Sequence, residues 1–479
     1  MRPPCIILGV NPFSLASMTE GGHLKTTTQS VTSALGPSRP NVVVLQQLFP
    51  EWGRRSPITL ERLVVGRGEE CAVRITSNEV SRRHAEFRWV DEKLFVADVG
   101  STNGVYLNGN RIAEAEVGVG SLLRFGQYLG VLAEIPLSEF KEGNPPVEIA
   151  DAGLLIGPVL NIALDPLRRI AGSNLSIIIE GETGTGKEKV ARAVHYWSGR
   201  TGPFVAINCA AIPENLVEAE LFGYRKGAFT GAERASPGYF RSAQSGTLLL
   251  DEIVDLPPAA QAKLLRVLEE REIIPIGETR PVPLDVRVLA AAQTSLLQAV
   301  QDRRFRGDLY ARLAGMSVRL PPLRERVVEI PSLFRRLLQE HSNNNATHHY
   351  DVRLLEALCL HAWPFNVREL DLTVRRLVAL HPTVEQLELK HLPNMLELSP
   401  SGKGVDAGAA LGPENRTETP KRSELDLFLE GLRLHTGNMA KAAVHAGISR
   451  PRGYRLIHEH PEINPDDYRA AKRPLKSDE

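Results

Sequence analysis

The residues best suited to chemistry lie near the middle of the chain. Gly181-Glu182-Thr183-Gly184-Thr185-Gly186-Lys187 follows an apolar run, Ile177–Ile179, and precedes a helix-like run from Glu188 to Tyr196. Glycines at that spacing let successive backbone N–H groups turn inward around phosphate oxygens, and the helix that follows adds the positive end of its dipole. Lys187 supplies a charge for β- and γ-phosphates. The position after the lysine, commonly Ser or Thr in such loops, is Glu188. Further on, the apolar run Thr247–Leu250 delivers Asp251 and Glu252 to its C-terminal end, where ligand sites of α/β sheets lie. A phosphate loop paired with two such carboxylates predicts nucleotide hydrolysis. Asp251 is expected to hold Mg²⁺ through water, and Glu252 to orient and polarise the attacking water. The expected cofactors are therefore ATP and Mg²⁺.

These groups need a parallel sheet to carry them. Ser176–Glu180, Thr247–Leu250 and Val286–Ala290 are short and almost wholly apolar, as buried parallel strands are. They predict an α/β domain over 151–325, followed by a helical segment over 326–396 with Leu333, Leu337 and Leu338 on one face. Before it, residues 41–135 hold short β-rich runs: Val42–Leu45, Arg62–Val65, Ala72–Ile75, Ala85–Val90, Leu94–Val99 and Ser121–Phe125. Turn pairs such as Asn103-Gly104 and Asn108-Gly109 punctuate them, which predicts an antiparallel all-β sandwich. Residues 1–40, rich in Ser, Thr, Gly and Pro, read as a disordered arm; 136–150 and 397–422 read as linkers, and 471–479 as a tail. A small all-α domain is expected over 423–470.

Composition sets the outer bounds. The 479 residues suggest about three domains. Lys+Arg and Asp+Glu both number 57, so nucleic-acid binding has to rest on a local patch. The apolar runs fall short of the roughly 18 residues a membrane span needs, and the start is a poor signal peptide. Cys5, Cys71, Cys209 and Cys359 are far apart and form no CxxC, which argues against a disulfide framework or a zinc site and makes a reducing cytoplasm the default.

Residues 150–395 resemble the AAA+ domain of bacterial sigma-54-dependent transcription activators. The most telling string is Gly227-Ala228-Phe229-Thr230-Gly231-Ala232, which in that family is the tip of a mobile loop that contacts sigma-54. The resemblance implies that Asn208 restrains Glu252 until nucleotide is sensed. It implies that Arg306 and Arg312, in Phe305-Arg306-Gly307-Asp308-Leu309-Tyr310-Ala311-Arg312, act as fingers on a neighbouring subunit's nucleotide, hence a homo-oligomer, a hexamer. Leu320–Arg326 resembles the hinge into the lid, and Trp363–Leu370 the lid sensor, which brings Arg368 near the phosphates. Three positions depart from the pattern: Ala292-Gln293 for Thr-Asn, Phe365 for glycine, and Tyr224-Arg225 for His-Glu.

Residues 42–134 resemble a forkhead-associated (FHA) domain through Gly66-Arg67, Ser81-Arg82-Arg83-His84, Gly100-Ser101-Thr102-Asn103-Gly104 and Asn108-Gly109. Such domains bind phosphothreonine peptides, and a phosphate dianion needs charge-assisted donors. Arg67, Ser81 and Arg82 are expected to hold the phosphate, Thr102 and Asn103 the phosphate-loop region and peptide backbone, while His84 packs inside and braces the loops. A phosphothreonine protein or its Ser/Thr kinase is then a partner.

His435–Arg450 reads helix–turn–helix, with Ala442 and Ala443 small enough for close packing, Gly447 in the turn and Ser449 as a cap. It resembles the Fis-type DNA-binding domain of these activators. Ser449, Arg450, Arg452, Tyr454 and Arg455 are the expected contacts to upstream promoter DNA. The whole reads as a phosphothreonine-controlled ATPase that remodels sigma-54 RNA polymerase holoenzyme from a closed to an open promoter complex. The rival reading is a non-catalytic signalling scaffold with a degenerate nucleotide site.

Overall fold

The computed structural model describes residues 41–50, 52–58, 62–136, 149–151, 153–229, 232–342 and 349–392, and a few positions between 428 and 446. They fall into two compact units, one within residues 1–403 and the other within 404–479. The expected arm, most of both linkers, the tail and all five expected DNA contacts lie outside the described residues.

The first unit opens with eleven strands: β1 Asn41–Phe49, β2 Arg55–Pro57, β3 Leu63–Gly66, β4 Val73–Arg74, β5 Ala85–Val90, β6 Lys93–Asp98, β7 Val105–Leu107, β8 Asn110–Ile112, β9 Glu114–Val117, β10 Leu122–Phe125 and β11 Tyr128–Pro136. They form two sheets, ordered β2-β1-β11-β10-β7-β8 and β4-β3-β5-β6-β9. Period-2 alternation buries Leu45, Val65, Phe87, Val96, Leu123, Phe125 and Leu132 between the sheets. Asn108 and Gly109 both take positive φ, 48° and 80°, as a two-residue hairpin between β7 and β8 requires. The longest strands, β1 and β11, pair along most of their length. Sequence analysis found the start of β1 but not β11. β11 also runs to Pro136, and β12 (Ile149–Asp151) starts inside the segment read as a linker.

β12 pairs with β13 (Leu154–Ile156), and α1 (Pro158–Ile170) follows. The five-stranded parallel sheet has the order β15-β16-β19-β14-β20, from β14 Ile177–Glu180, β15 Phe204–Asn208, β16 Thr247–Asp251, β19 Arg287–Ala292 and β20 Met316–Arg319. β17 (Glu272–Ile273) and β18 (Val282–Pro283) make a short hairpin beside it. The three central strands are the three apolar runs of the sequence, with ends that differ by at most two residues. The edge strands β15 and β20 are half-exposed; β15 carries the short apolar run Phe204-Val205-Ala206-Ile207, and β20 carries none. Helices α2 Lys187–Ser198, α3 Val217–Phe222, α4 Gly238–Ser242, α5 Pro258–Glu270, α6 Leu296–Gln301 and α7 Gly307–Leu313 connect and cover them.

The helical segment comprises α8 Ile330–His341, α9 Val352–Leu360 and α10 Asn366–Leu380. Leu333, Leu337 and Leu338 are buried on one face of α8, as their spacing predicts. In the second unit, Phe428, Leu432, Ala442 and Ala443 are buried together, so both alanines serve close packing there.

Candidate functional site

The phosphate loop joins β14 to α2. Gly181, Gly184 and Gly186 all have positive φ, 159°, 80° and 99°. Glycine is required at 184 for a second reason: a Cβ there would lie 2.1 Å from the Phe365 carbonyl oxygen. The Thr185 hydroxyl donates to Glu182 O at 2.8 Å and closes the loop on itself. Lys187 is buried; its Nζ donates to Gly181 O at 2.8 Å and sits 3.6 Å from Glu252 Oε1. Glu188 points to solvent and pairs with Arg192 one helical turn on, at 2.8 Å.

Glu252 stands just past the end of β16 in a left-handed backbone conformation, φ 50°, and its N–H is held by Asp251 Oδ1 at 3.1 Å. Its Oε2 accepts from the backbone N–H of Gln293 at 3.2 Å. That contact uses the main chain, so the replacement of asparagine by Gln293 leaves it intact. Asn208 is the register partner of Asp251 on the neighbouring strand. Its Oδ1, however, accepts from Ala210 N at 2.9 Å and caps the following turn, and the described partners of Glu252 are Lys187, Gln293 and Asp251. Asp251 and Glu252 offer hard carboxylate oxygens beside the phosphate loop, the donor type that Mg²⁺ takes.

The lid closes on the loop through Asn366. Its Nδ2 donates to Thr183 O at 3.0 Å and Glu182 Oε2 at 3.2 Å, and its Oδ1 accepts from Leu323 N at 2.7 Å. Val367 N donates to Gly184 O at 3.0 Å. Arg324 grips Glu182 with both guanidinium nitrogens, at 2.8 and 2.6 Å. That grip, with help from Asn366, holds the Glu182 carboxyl down to about 2 against the opposing effect of partial burial. Arg368 Cβ would be 3.0 Å from a Cβ at Gly184, so the start of the Arg368 side chain lies beside the loop. Phe365 is exposed and has φ −109°, ψ 20°, which any residue adopts, so its substitution for glycine brings no strain.

Sequence reasoning missed the slot beside the phosphate loop. Leu154, Leu155, Leu337 and Val367 line its apolar side, and Lys189, Arg336 and Glu340 give it charge of both signs. The signal was present as Leu154-Leu155-Ile156-Gly157 ahead of a helix.

Arg306 and Arg312 lie on one segment, at the start and within α7. Within this chain Arg306 forks onto Asp308 at 3.0 and 2.7 Å, and Arg312 donates to Leu268 O at 3.2 and 3.0 Å. Neither partner belongs to the phosphate loop. At the ends of the Gly227–Ala232 string, Gly227 N donates to Ala232 O at 2.8 Å and Ala232 N to Phe229 O at 3.0 Å. Phe229 is 40% exposed and its ring lies 4.9 Å from that of Tyr224, one of the residues that depart from the pattern. Thr230 and Gly231 lie outside the described residues.

In the sandwich, three loops converge. Arg67 N donates to Ser81 O at 3.0 Å, Thr102 N to the Ser81 hydroxyl at 3.1 Å, and Asn103 Nδ2 to Glu79 O at 2.7 Å. Arg67, Arg82, Thr102 and Asn103 are exposed around Ser81. His84 is fully buried beneath them; its Nδ1 accepts from Ser81 N at 3.1 Å, which leaves Nε2 to donate to Gly104 O at 3.1 Å. Burial lowers its basicity, so the neutral ring is the brace.

Comparison with known proteins agrees with this geometry. Residues 157–319 match the Sigma-54 interaction domain family, 63–126 the FHA domain family and 324–407 the AAA+ ATPase lid domain family. The response regulator protein FleR of Pseudomonas aeruginosa is 40% identical over 340 residues, 65% of this chain and 71% of the relative. The chain belongs to the sigma-54-dependent transcriptional activators. The DNA-binding transcriptional regulator NtrC of Rhizobium meliloti, another relative of this sigma-54 activator, is 42% identical over 321 residues, 61% of this chain and 66% of that one. The chain thus spans about two thirds of the length of these curated relatives. A crystal structure of NtrX from Brucella abortus in complex with ADP matches 64% of the activator described here and 69% of its own chain, at 29% identity and a TM-score of 0.47. By its family matches, this activator combines an FHA domain with a sigma-54 interaction domain and an AAA+ ATPase lid domain. No helix among the described residues is long and apolar enough to cross a membrane.

Proposed function

We propose that this activator hydrolyses ATP and uses the energy to remodel sigma-54 RNA polymerase holoenzyme from a closed to an open promoter complex, under the control of phosphothreonine recognition. The observation that carries the reading is the junction of Lys187 and Glu252 inside a phosphate loop already capped by the lid. Lys187 would exchange Gly181 O and Glu252 for phosphate oxygens, which frees the Glu252 carboxylate to orient the attacking water. Asp251 would hold Mg²⁺, which would supply charge neutralisation to the nucleotide's phosphates. The backbone N–H groups of Gly184 to Lys187 and the N-terminus of α2 would cradle the phosphates. Arg368 reaches them from the lid. Arg306 and Arg312, idle in cis, would act on the nucleotide of the next subunit of a hexamer.

The Gly227–Ala232 loop presents Phe229 as the sigma-54 contact. In the sandwich, Arg67, Ser81 and Arg82 would bind the phosphate and Thr102 and Asn103 the peptide, so the signal comes from a Ser/Thr kinase. The C-terminal helices would place the assembly on upstream DNA through Ser449, Arg450, Arg452, Tyr454 and Arg455.

The test is open-complex formation with sigma-54 holoenzyme on a closed promoter, with and without ATP and with and without phosphothreonine peptide. Lys187→Ala is expected to lower ATPase activity by about 10²-fold or more and to abolish opening. Phe229→Ala is expected to keep ATPase activity and lose opening. Absence of both ATPase activity and opening in the wild type under every condition would overturn the proposal in favour of a signalling scaffold.

A further inference from the structure

A sandwich of two antiparallel sheets ordinarily turns one face of each sheet to water. One sheet here does not. Strand β10 sends Leu123 and Phe125 into the sandwich and Leu122 and Arg124 outward, and β11 sends Leu129 and Val131 outward beside them. These outward residues share one core with Ile330, Phe334, Leu355 and Leu358 of the lid. Trp52 Nε1 donates to Val328 O at 2.7 Å, and the Phe49 and Phe334 rings both pack on Tyr350. The FHA domain is docked on the nucleotide lid.

Inside this apolar seam sits one ion pair. Arg124 Nε lies 2.7 Å from Glu356 Oε2 of α9, with the two side chains only 9% and 8% exposed. The guanidinium also lies 3.7 Å from the centroid of the Tyr106 ring. Glu356 Oε1 is buried with no hydrogen-bond partner among the described residues. Such a pair is a poor way to hold two surfaces together, because well-packed apolar residues of similar volume hold them as well or better. What it adds is register: a half-satisfied buried carboxylate tolerates only one placement of its arginine.

The pair lies between two sites. Tyr106 is three residues beyond Asn103 of the phosphothreonine loops and is the register partner of Arg124. On the other side, α9 leads to Trp363, whose Nε1 donates to Leu358 O at 2.8 Å, and then to Asn366, which holds Thr183 and Glu182 of the phosphate loop. The geometry points to Arg124 and Glu356 as positioning residues that couple the two sites, so that occupancy of the phosphothreonine site changes affinity at the nucleotide site. This rests on the phosphothreonine reading proposed above. Coupling between binding sites is reciprocal, so ADP must change peptide affinity by the same factor as peptide changes ADP affinity.

The experiment uses the full chain, ADP, and a fluorescent degenerate phosphothreonine peptide pool with its unphosphorylated twin. Dissociation constants are measured for each ligand alone and in the presence of the other. The wild type is expected to show equal reciprocal factors of about 5-fold or more. The paired replacement Arg124→Met with Glu356→Leu keeps the seam apolar; it is expected to bind each ligand alone as the wild type does, with the factor reduced to one. If that variant does not fold, the charge swap Arg124→Glu with Glu356→Arg is compared with its two single changes, and recovery of the factor only in the swap supports the coupling. A factor of one in the wild type, or a factor retained without the ion pair, overturns the inference while leaving phosphothreonine recognition in place. Equal binding of the phosphorylated and plain pools by the wild type overturns phosphothreonine recognition itself, and the inference with it.

Discussion

The residues of the phosphate loop and those that hold it are already constrained before nucleotide arrives. Lys187 is held by Gly181 O and Glu252, Asn366 by the phosphate loop, and Glu182 by Arg324. The last contact has a pH signature. Hydrogen bonding from Arg324 keeps the Glu182 carboxyl at about 2, below the ordinary value of 4.5. A carboxyl depressed on folding contributes stability that is complete above the unfolded value and is lost as pH falls from there towards the folded one. The melting-temperature difference between wild type and Glu182→Gln is therefore expected to be constant between about pH 6 and 8 and to shrink below pH 4.5. Melting curves across that range check it. A difference that fades above pH 6 would mean that Arg324 does not hold this carboxylate. Both side chains are more than a third exposed, so solvent screening keeps the effect small.

At the scale of elements, one strand carries an unusual load. β10 contributes to the sandwich core on one face and to the seam with the lid on the other. Arg124→Met leaves Glu356 buried without its cation and is expected to destabilise the chain by about 3–5 kcal/mol. Adding Glu356→Leu removes the stranded charge and should bring stability back to the wild-type level or above it. Urea unfolding of the two variants measures this. Equal loss in both would mean that apolar packing, not the uncompensated carboxylate, sets the cost. Trp52 bonds to Val328 just before α8, and Phe49 packs on Tyr350 just before α9, so the sandwich also meets the lid at the starts of both helices.

At the scale of the whole molecule, the chain is chemically incomplete in the proposed reaction. Arg306 is engaged by Asp308 and Arg312 by the Leu268 carbonyl, outside the site that contains Lys187. Supplied by a neighbour, a finger contributes about 10³–10⁵ in rate. Lys187→Ala and Arg306→Ala proteins are therefore each expected to be inactive as ATPases, and a mixture of the two to recover activity. Recovery needs a subunit with an intact site next to one with an intact finger. A mixture as inactive as its components would place the fingers in cis and remove the argument for a ring. The solvent-exposed pairing of Arg306 with Asp308, which raises the arginine and lowers the aspartate, would be exchanged for phosphate on assembly.

What the sequence determined by itself is local. Glycine positions, buried apolar runs and turn pairs depend on neighbours a few residues away, so the phosphate loop, the three central strands, the carboxylates after β16 and the Asn108-Gly109 hairpin were all legible. The edge strands β15 and β20 were not: Phe204-Val205-Ala206-Ile207 is apolar but too short for periodicity to tell a strand from a piece of helix, and β20 alternates with no apolar run. The slot beside the phosphate loop was hidden because β13, α8 and α10, which line it, are brought together only by folding. The docking of the sandwich on the lid is the clearest case. Leu122-Leu123-Arg124-Phe125 reads as a strand, but period-2 alternation cannot say that its second face is also buried, nor that Arg124 meets a carboxylate 232 residues away. Contacts at that separation carry no periodicity in the chain, so only the tertiary structure decides them.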